Sequence, residues 1–379
     1  MRETDAHAVR WEGAGLLPGI LSTVGGGGVF RRRLSFPQGR AVENAGHPRP
    51  FRRPVPLWPQ LERDYLRNYN LRRLLQLIPV LLGISIAIFA VLRLIPGGFA
   101  SGMLGIDATP ELIAQVNARY GLDQPVVTQY LKWMGGVLRG DFGQSFRSGA
   151  EILPEILTRF KVTAELTILA AVVSWIIALP LGMLAAVKRN TMVDRVVRVV
   201  ALLGVSVPGF ALSILIILIL SLTLNYYPPL NYVSFFEDPL KNLEMMLLPS
   251  LILGTSMAGS VMRMTRSSVL EVLRQDFIKT VRAKGASERV AIFKHALRNA
   301  LIPIVTLIGM QMGSLLGGAV VVEQIFSLPG LGQMTLTGIN NRDFPVVQGC
   351  VLFIAFVYVL VNLVVDLLYA YIDPRISYD

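Results

Sequence analysis

Ionisable chemistry is scarce in this sequence. Its 379 residues include one cysteine, three histidines and only 16% charged residues, where a soluble domain averages about one quarter. The single cysteine, Cys350, cannot close a disulfide within the chain, and its place in an apolar run gives it a packing role. His7, His47 and His295 are scattered along the chain, so they compose neither a metal cage nor a nucleophile with its base. No Gly-Lys pair occurs anywhere, which removes the phosphate-binding loop in which lysine follows spaced glycines. The expectation is a chain that binds no cofactor and has no ATPase motif of its own.

What the chain has in quantity is apolar residues. They make up 53% of it, with a mean hydropathy of +0.54. A helix needs roughly 20 of them to cross the hydrocarbon core of a membrane. Six stretches qualify: about Leu74 to Leu94, Thr163 to Ala186, Val199 to Leu222, Met245 to Met262, Leu301 to Val322, and Val346 to Tyr371. The expected fold class is an all-α integral membrane protein with six transmembrane helices. A net charge of +11 would otherwise suggest nucleic acid, but its distribution assigns it to topology. Bases crowd the N-terminal side (Arg31, Arg32, Arg33, Arg52, Arg53, Arg72, Arg73) and the link after the second span (Lys188, Arg189, Arg195, Arg198). They are densest after the fourth span, from Arg263 to Arg298. The links at 95–162 and 225–244 show no such excess. Both termini are therefore expected in the cytoplasm, with the lipid bilayer as partner and no nucleic acid.

Residues 1–65 are rich in Gly, Pro and Arg, with "GGGG" at 25–28 and "RPFRRPVP" at 49–56. Such a segment buries too little apolar surface to offset its ordering entropy and reads as disordered. "LERDYLRNYNLRR" at 61–73 reads as a short surface helix leading into the first span. Farther on, Thr109 as N-cap, Pro110 at the first helical position and Gly121 after the last turn predict an external helix, followed by an amphipathic segment containing Tyr130, Trp133 and Met134. Residues 66–162 thus comprise the surface helix, the first span and an external cap. Residues 163–371 hold five further spans, and 372–379 form a cytoplasmic tail.

Prolines punctuate the spans at Pro79, Pro180, Pro208, Pro249 and Pro303. Each removes a backbone donor that hydrocarbon cannot replace, so bends are expected, above all in "SVPGF", where Pro208 would kink the third span and could line a pathway. Gly309, Gly313 and Gly317 recur every four residues in the fifth span. They make a smooth face for close helix packing, or for the centre of a pore between two subunits. "SLPGLGQM" at 327–334 reads as a re-entrant turn. Glu165, Glu323 and Asp366 are poor material for a proton relay, and no duplicated half marks an ion-driven carrier.

Between the fourth and fifth spans, "SSVLEVLRQDFIKTVRAKG" sets Leu270, Leu273, Phe277 and Val281 at helical spacing, Gly285 suits a left-handed cap, and Ser287 with Glu288 opens a second helix through Val290, Ile292 and Phe293. The predicted form is helix, tight turn, helix over about 267–300. A DNA-reading helix-turn-helix has the same outline, but both flanks run straight into membrane spans. A turn held by two membrane helices fits the groove of a soluble partner.

Here the residues carry a family resemblance. "RAKGASERVAIFKHALRNALIP" resembles the cytoplasmic coupling loop of ABC-importer permeases in its peptide-branch form. "YGLDQPVVTQYLKWMGGVLRGDFGQSFRSG", "LGGAVVVEQIFSLPGLGQM", "RDFPVVQG" and "VNLVVDLLYAYIDPRI" resemble dipeptide and oligopeptide permease subunits of the first-subunit type, in the same order. The letters that name the general loop motif are replaced by Lys279, Thr280 and Val281, while its turn glycine is kept as Gly285. The resemblance implies the type I ABC-importer permease fold with an external helical insertion between helices 1 and 2, in a bacterial or archaeal cell membrane. It implies a second homologous permease subunit, two cytoplasmic ATPase subunits that use the ATP, and an extracytoplasmic peptide-binding protein. It places Ala283, Lys284, Gly285, Ala286, Ser287 and Glu288 at or near the docking tip. The implied cargo is a di- or oligopeptide, with nickel or glutathione as alternatives for the same assembly. From a different class, an ion-coupled carrier acting alone is the rival reading.

Overall fold

The structure, a computed structural model, describes residues 58–95, 98–104, 108–229 and 231–372. Among these residues the chain is helical, with one isolated bridge between Gln144 and Glu151 as its β pairing. The segments expected to be a disordered arm and a tail fall, at 1–57 and 373–379, outside the described residues.

Helix α1 (Trp58–Arg93) corrects two expectations at once. Residues 58–65 are helical rather than disordered, and the expected surface helix continues without a break into the first span. The continuity follows from composition, because after Pro59 the segment holds good helix formers and no glycine until Gly83. Then come α2 (Gly98–Leu104), α3 (Pro110–Tyr120) and α4 (Val126–Val137). The caps of α3 are those expected: the Thr109 side chain accepts the Leu112 N–H, and Gly121 turns out at φ 66°.

Next are α5 (Ile152–Val187), α6 (Met192–Ser206), α7 (Gly209–Leu224), α8 (Pro239–Leu273) and α9 (Asp276–Ala283). A π-helical segment at Val290–Ala296 leads into α10 (Leu297–Gly318), followed by α11 (Val320–Ile325), α12 (Leu331–Asn340) and α13 (Phe344–Ile372). Among the described residues, five helical stretches are long and apolar enough to cross a membrane. The third expected span, Val199 to Leu222, is two helices, α6 and α7, bent by 97° at the Ser206–Gly209 break. Proline chemistry explains it. A residue before proline is driven out of the α region, and Val207 is extended (φ −87°, ψ 118°), as is Pro208 itself. Pro79, Pro180, Pro249 and Pro303 lie inside continuous helices. The fifth span likewise ends sooner than expected, at Gly318, and α11 carries Val322 and Glu323.

Close packing of small residues holds the centre. Along α5 the buried side chains include Ala170, Ala171, Ser174, Ala178, Gly182 and Ala185. A methyl group at Gly254 of α8 would lie 2.7 Å from the Ala170 carbonyl oxygen, and one at Gly182 would lie 2.8 Å from the Met262 carbonyl oxygen. These two contacts, in matching order, show that α5 and α8 run side by side in the same direction. Helix α6 approaches α8 as closely, since a methyl at Gly259 would sit 2.5 Å from the Ala201 carbonyl oxygen. In a bilayer, where lipid is as apolar as leucine, this backbone proximity and its dispersion energy hold helices together.

At the end of the bundle where α5 begins, polar side chains fasten the short elements. Glu323 is fully buried. Its Oε1 accepts the Thr163 hydroxyl at 2.6 Å, its Oε2 accepts the Gln333 N–H at 2.9 Å, and the Thr163 oxygen in turn accepts the Leu331 N–H at 2.8 Å. Gly330 and Gly332 leave the room this carboxylate occupies. A second clasp joins the 141–151 loop to the turn before α13: buried Asp343 accepts the Ser145 hydroxyl at 2.5 Å and the Phe146 N–H at 3.2 Å.

Candidate functional site

The turn that follows α8 and α9 lies between two of the long apolar stretches, and its shape is fixed by local bonds. After Leu273 the Arg274 and Gln275 N–H groups bond back to the carbonyls of Glu271 and Val272, and the chain restarts as α9. That interruption rephases the helix. Val269, Val272 and Ile278 are buried, whereas Phe277, expected on the apolar face, is 38% exposed. Ile278 is 0% exposed and belongs to one buried cluster with Ala185, Ala186, Val197, Ala201, Val269 and Val272, so α9 is anchored by this side chain to the apolar core that α5, α6 and α8 share.

Gly285 closes α9 in the left-handed region, at φ 83°. The Ala286 N–H donates to the Val281 carbonyl and the Gly285 N–H to the Arg282 carbonyl, which is the paired pattern of a Schellman cap. Nothing lies within 4 Å of a methyl group placed on Gly285. The glycine is there for its backbone, not for space. Across the turn the Arg282 guanidinium donates two bonds to the Glu288 carboxylate, at 3.0 and 2.6 Å. Lys279 holds the Asp276 carboxyl below its usual range by hydrogen bonding and charge. Beyond the turn the expected α-helix through Val290, Ile292 and Phe293 is instead π-helical over Val290–Ala296. Such stretches with one extra residue per turn are uncommon and concentrate at functional sites.

Ala283, Lys284, Gly285, Ser287 and Glu288 are exposed and Ala286 is half-buried, so the six sit together on one projecting tip. Sequence periodicity missed the apolar knobs beside it. Phe293 is 58% exposed and Val290 40% exposed, giving the tip a greasy rim beside its charged turn. The other candidates lie elsewhere. Pro208 sets the bend between α6 and α7. Gly309 and Gly313 face α13 of the same chain, where Val365 and Tyr358 pack over them, and Gly317 lies in the last turn of α10. Glu165 of α5 accepts the Tyr232 hydroxyl at 2.7 Å, and burial together with that carboxylate raises the tyrosine's pKa. Among the described residues no cluster of His, Cys, Asp or Glu could hold a metal ion.

Residues 178–378 match the family described as binding-protein-dependent transport system inner membrane component, and residues 66–167 match the N-terminal part of the same type of membrane component. The dipeptide transport system permease protein DppB of Alkalihalophilus pseudofirmus is 43% identical over 330 residues, covering 82% of this chain and 99% of that protein. The glutathione transport system permease protein GsiC of Salmonella typhi is 42% identical over 311 residues, with 82% and 99% covered. Among solved structures, an inward-facing form of the MetNI methionine ABC transporter aligns with a TM-score of 0.48 at 19% identity, over 59% of this chain and 98% of that one.

Proposed function

This chain belongs to the family of binding-protein-dependent transport system inner membrane components, and from that premise we propose that it is a permease subunit of an ATP-driven importer of di- or oligopeptides. It forms half of the translocation pathway beside a second, homologous permease subunit. Two cytoplasmic ATPase subunits use the ATP and bind the coupling loops of the permease pair, in this chain the turn at 283–288. A peptide-binding protein outside the membrane delivers the cargo, and both termini lie in the cytoplasm.

The observation that carries the proposal is the preformed tip. Its shape is set by Ile278 and the Gly285 cap, so little conformational freedom is lost when a partner closes on it. An exposed elbow between two long apolar stretches is a lever, and a lever is useful only where something pushes it. Opening then requires contacts that differ in free energy between the states of the ATPase pair.

The test is reconstitution. The chain is co-purified with its sister permease and the ATPases, placed in proteoliposomes, and given loaded binding protein with labelled dipeptide. Uptake should require ATP and all partners. A cysteine at Lys284 should cross-link to the ATPase in inside-accessible reagent. Uptake by the chain alone, or a Lys284 site reached only from outside, would overturn the reading. Glutathione, itself a tripeptide, is the second cargo to compare, because the glutathione-named relative is as similar as the dipeptide-named one.

A further inference from the structure

The coupling turn accounts for α9 but not for an ion pair between α6 and α8, in which Asp194 is buried and Arg266 partly so. Asp194, in the first turn of α6, is 0% exposed. Its Oδ1 accepts Arg266 Nε at 2.7 Å and its Oδ2 accepts Arg266 Nη2 at 2.9 Å, a two-pronged pairing from α8. The Asn190 N–H donates to the same carboxylate at 3.0 Å, from a turn in which Asn190 itself has φ 63°. Arg198, one turn along α6, adds its guanidinium at 3.4 Å. One carboxylate therefore fixes the α5–α6 turn, the root of α6 and the lower part of α8.

Stability alone explains this arrangement poorly. Stripping water from two charges offsets most of their attraction, and apolar replacements of equal volume commonly serve as well or better. What the pairing supplies is orientation: a planar guanidinium meeting a carboxylate at two points resists the sliding and rotation that apolar surfaces permit. Its position makes orientation matter. Arg266 lies about two helical turns before the end of α8, where the chain passes into α9. From Asp194, α6 runs to the break at Pro208 and the 97° bend into α7. Val197 and Ala201 of α6 share the hydrophobic cluster of Ile278 of α9, so the ion pair braces one side of a block that includes the coupling helix.

We propose that Asp194 and Arg266 are positioning residues for transport, a strut that converts displacement of the coupling turn into movement of the bent α6–α7 pair. The proposal rests on reading 283–288 as the ATPase-docking tip. Without the strut, α8 and α6 would slip past one another and nucleotide-driven movement would be spent locally.

The experiment uses the whole assembly in proteoliposomes and measures peptide taken up per ATP hydrolysed, with the amount of assembled complex as a control. Removing one partner strands a buried charge, so the informative variants are the double Asp194→Leu/Arg266→Leu, which removes both charges, and Arg266→Lys, which keeps the charge but not the fork. In each, assembled complex and hydrolysis without binding protein should match the wild type. Peptide per ATP should fall about tenfold in the double variant, within the usual span of coupling between sites, and less in Arg266→Lys. Exchanging the charges, Asp194→Arg with Arg266→Asp, should recover part of the loss. Wild-type coupling in the double leucine variant overturns the strut and leaves the functional reading standing. Loss of assembled complex in both variants makes the pair a folding element and also overturns it. If the unaltered assembly shows no ATP-dependent uptake, the functional reading fails and the strut with it.

Discussion

Replacing Gly285 separates backbone geometry from side-chain contact at the docking tip. The residue sits at φ 83°, and no atom lies within 4 Å of an added Cβ. Any intrachain cost of substitution is therefore conformational. An L-residue in the left-handed region costs about 1–2 kcal/mol, asparagine less because its side chain bonds locally, and a β-branched residue more. Since each 1.4 kcal/mol is about tenfold in an equilibrium constant, Gly285→Ala should lower the ratio of native to other turn conformers by about 5–30-fold, and Gly285→Val should lower it further. ATP-dependent peptide uptake in proteoliposomes should fall in the order Asn, Ala, Val, with Val close to background while membrane insertion and the amount of chain are unchanged. Normal uptake by Gly285→Val would refute the claim that this turn must hold its shape. Asn failing as completely as Val would refute the backbone argument, because the loss would then come from bulk at the partner's surface.

Three further outcomes follow from the packing and the buried clasps. Thr163→Val removes the bond to the buried Glu323 carboxyl and strands the Leu331 N–H, so it should destabilise the chain by about 2–4 kcal/mol; combined with Glu323→Gln it should show a coupling above about 1 kcal/mol in denaturant titrations, and simple additivity would contradict the clasp. Gly259→Ala meets the Ala201 backbone oxygen at 2.5 Å, which cannot yield, and should cost about 1–3 kcal/mol. Gly313→Ala meets the Tyr358 ring at 3.0 Å, which can turn aside, and should cost under about 1 kcal/mol, so equal costs at the two glycines would count against this reading of the helix contacts. Asp343→Asn weakens the bonds to Ser145 and Phe146, so amide hydrogen exchange at 141–151 should quicken by about tenfold, and unchanged exchange would show that the loop is held by other contacts.

Much of the fold was legible because bilayers impose length. Runs of apolar residues, the caps Thr109 and Gly121, and the left-handed glycine at 285 all act locally, so sequence alone discloses them. What it concealed depends on phase and on distant partners. The break at Arg274–Gln275 turned Phe277 outward and Ile278 inward, a change no constant helical period predicts. Pro208 was read as a kink, yet why it separates two helices at 97° when Pro180 and Pro249 leave theirs continuous depends on what surrounds each residue rather than on the proline itself. Glu323 looked like an unremarkable acid at a span end. Its role became visible only when Thr163, far away in the chain, was brought to 2.6 Å. An acid followed by a glycine-containing turn rich in free N–H groups was the available signal.

The site has a mechanical logic that joins these observations. An eight-residue helix such as α9 has no stability of its own in water. Its exposed Arg282–Glu288 pair adds little, because solvent screens it. Order at the tip must therefore come from below, through Ile278 in the cluster shared by α5, α6 and α8. That dependence runs both ways: whatever holds the tip rigid also receives any force applied to it. A displacement entering at Lys284 cannot be absorbed by a loose loop, since the Schellman cap and the buried isoleucine leave none, and α5 and α8 are locked backbone to backbone at Gly182 and Gly254. Beyond the Arg274–Gln275 break, which the buried Ile278 holds, the next non-helical joint is the extended Val207–Pro208 link between α6 and α7. Movement of the helix bundle is thus expected to concentrate there, where Val207 and Pro208 leave helical geometry and Pro208 has no N–H to continue the hydrogen-bond ladder.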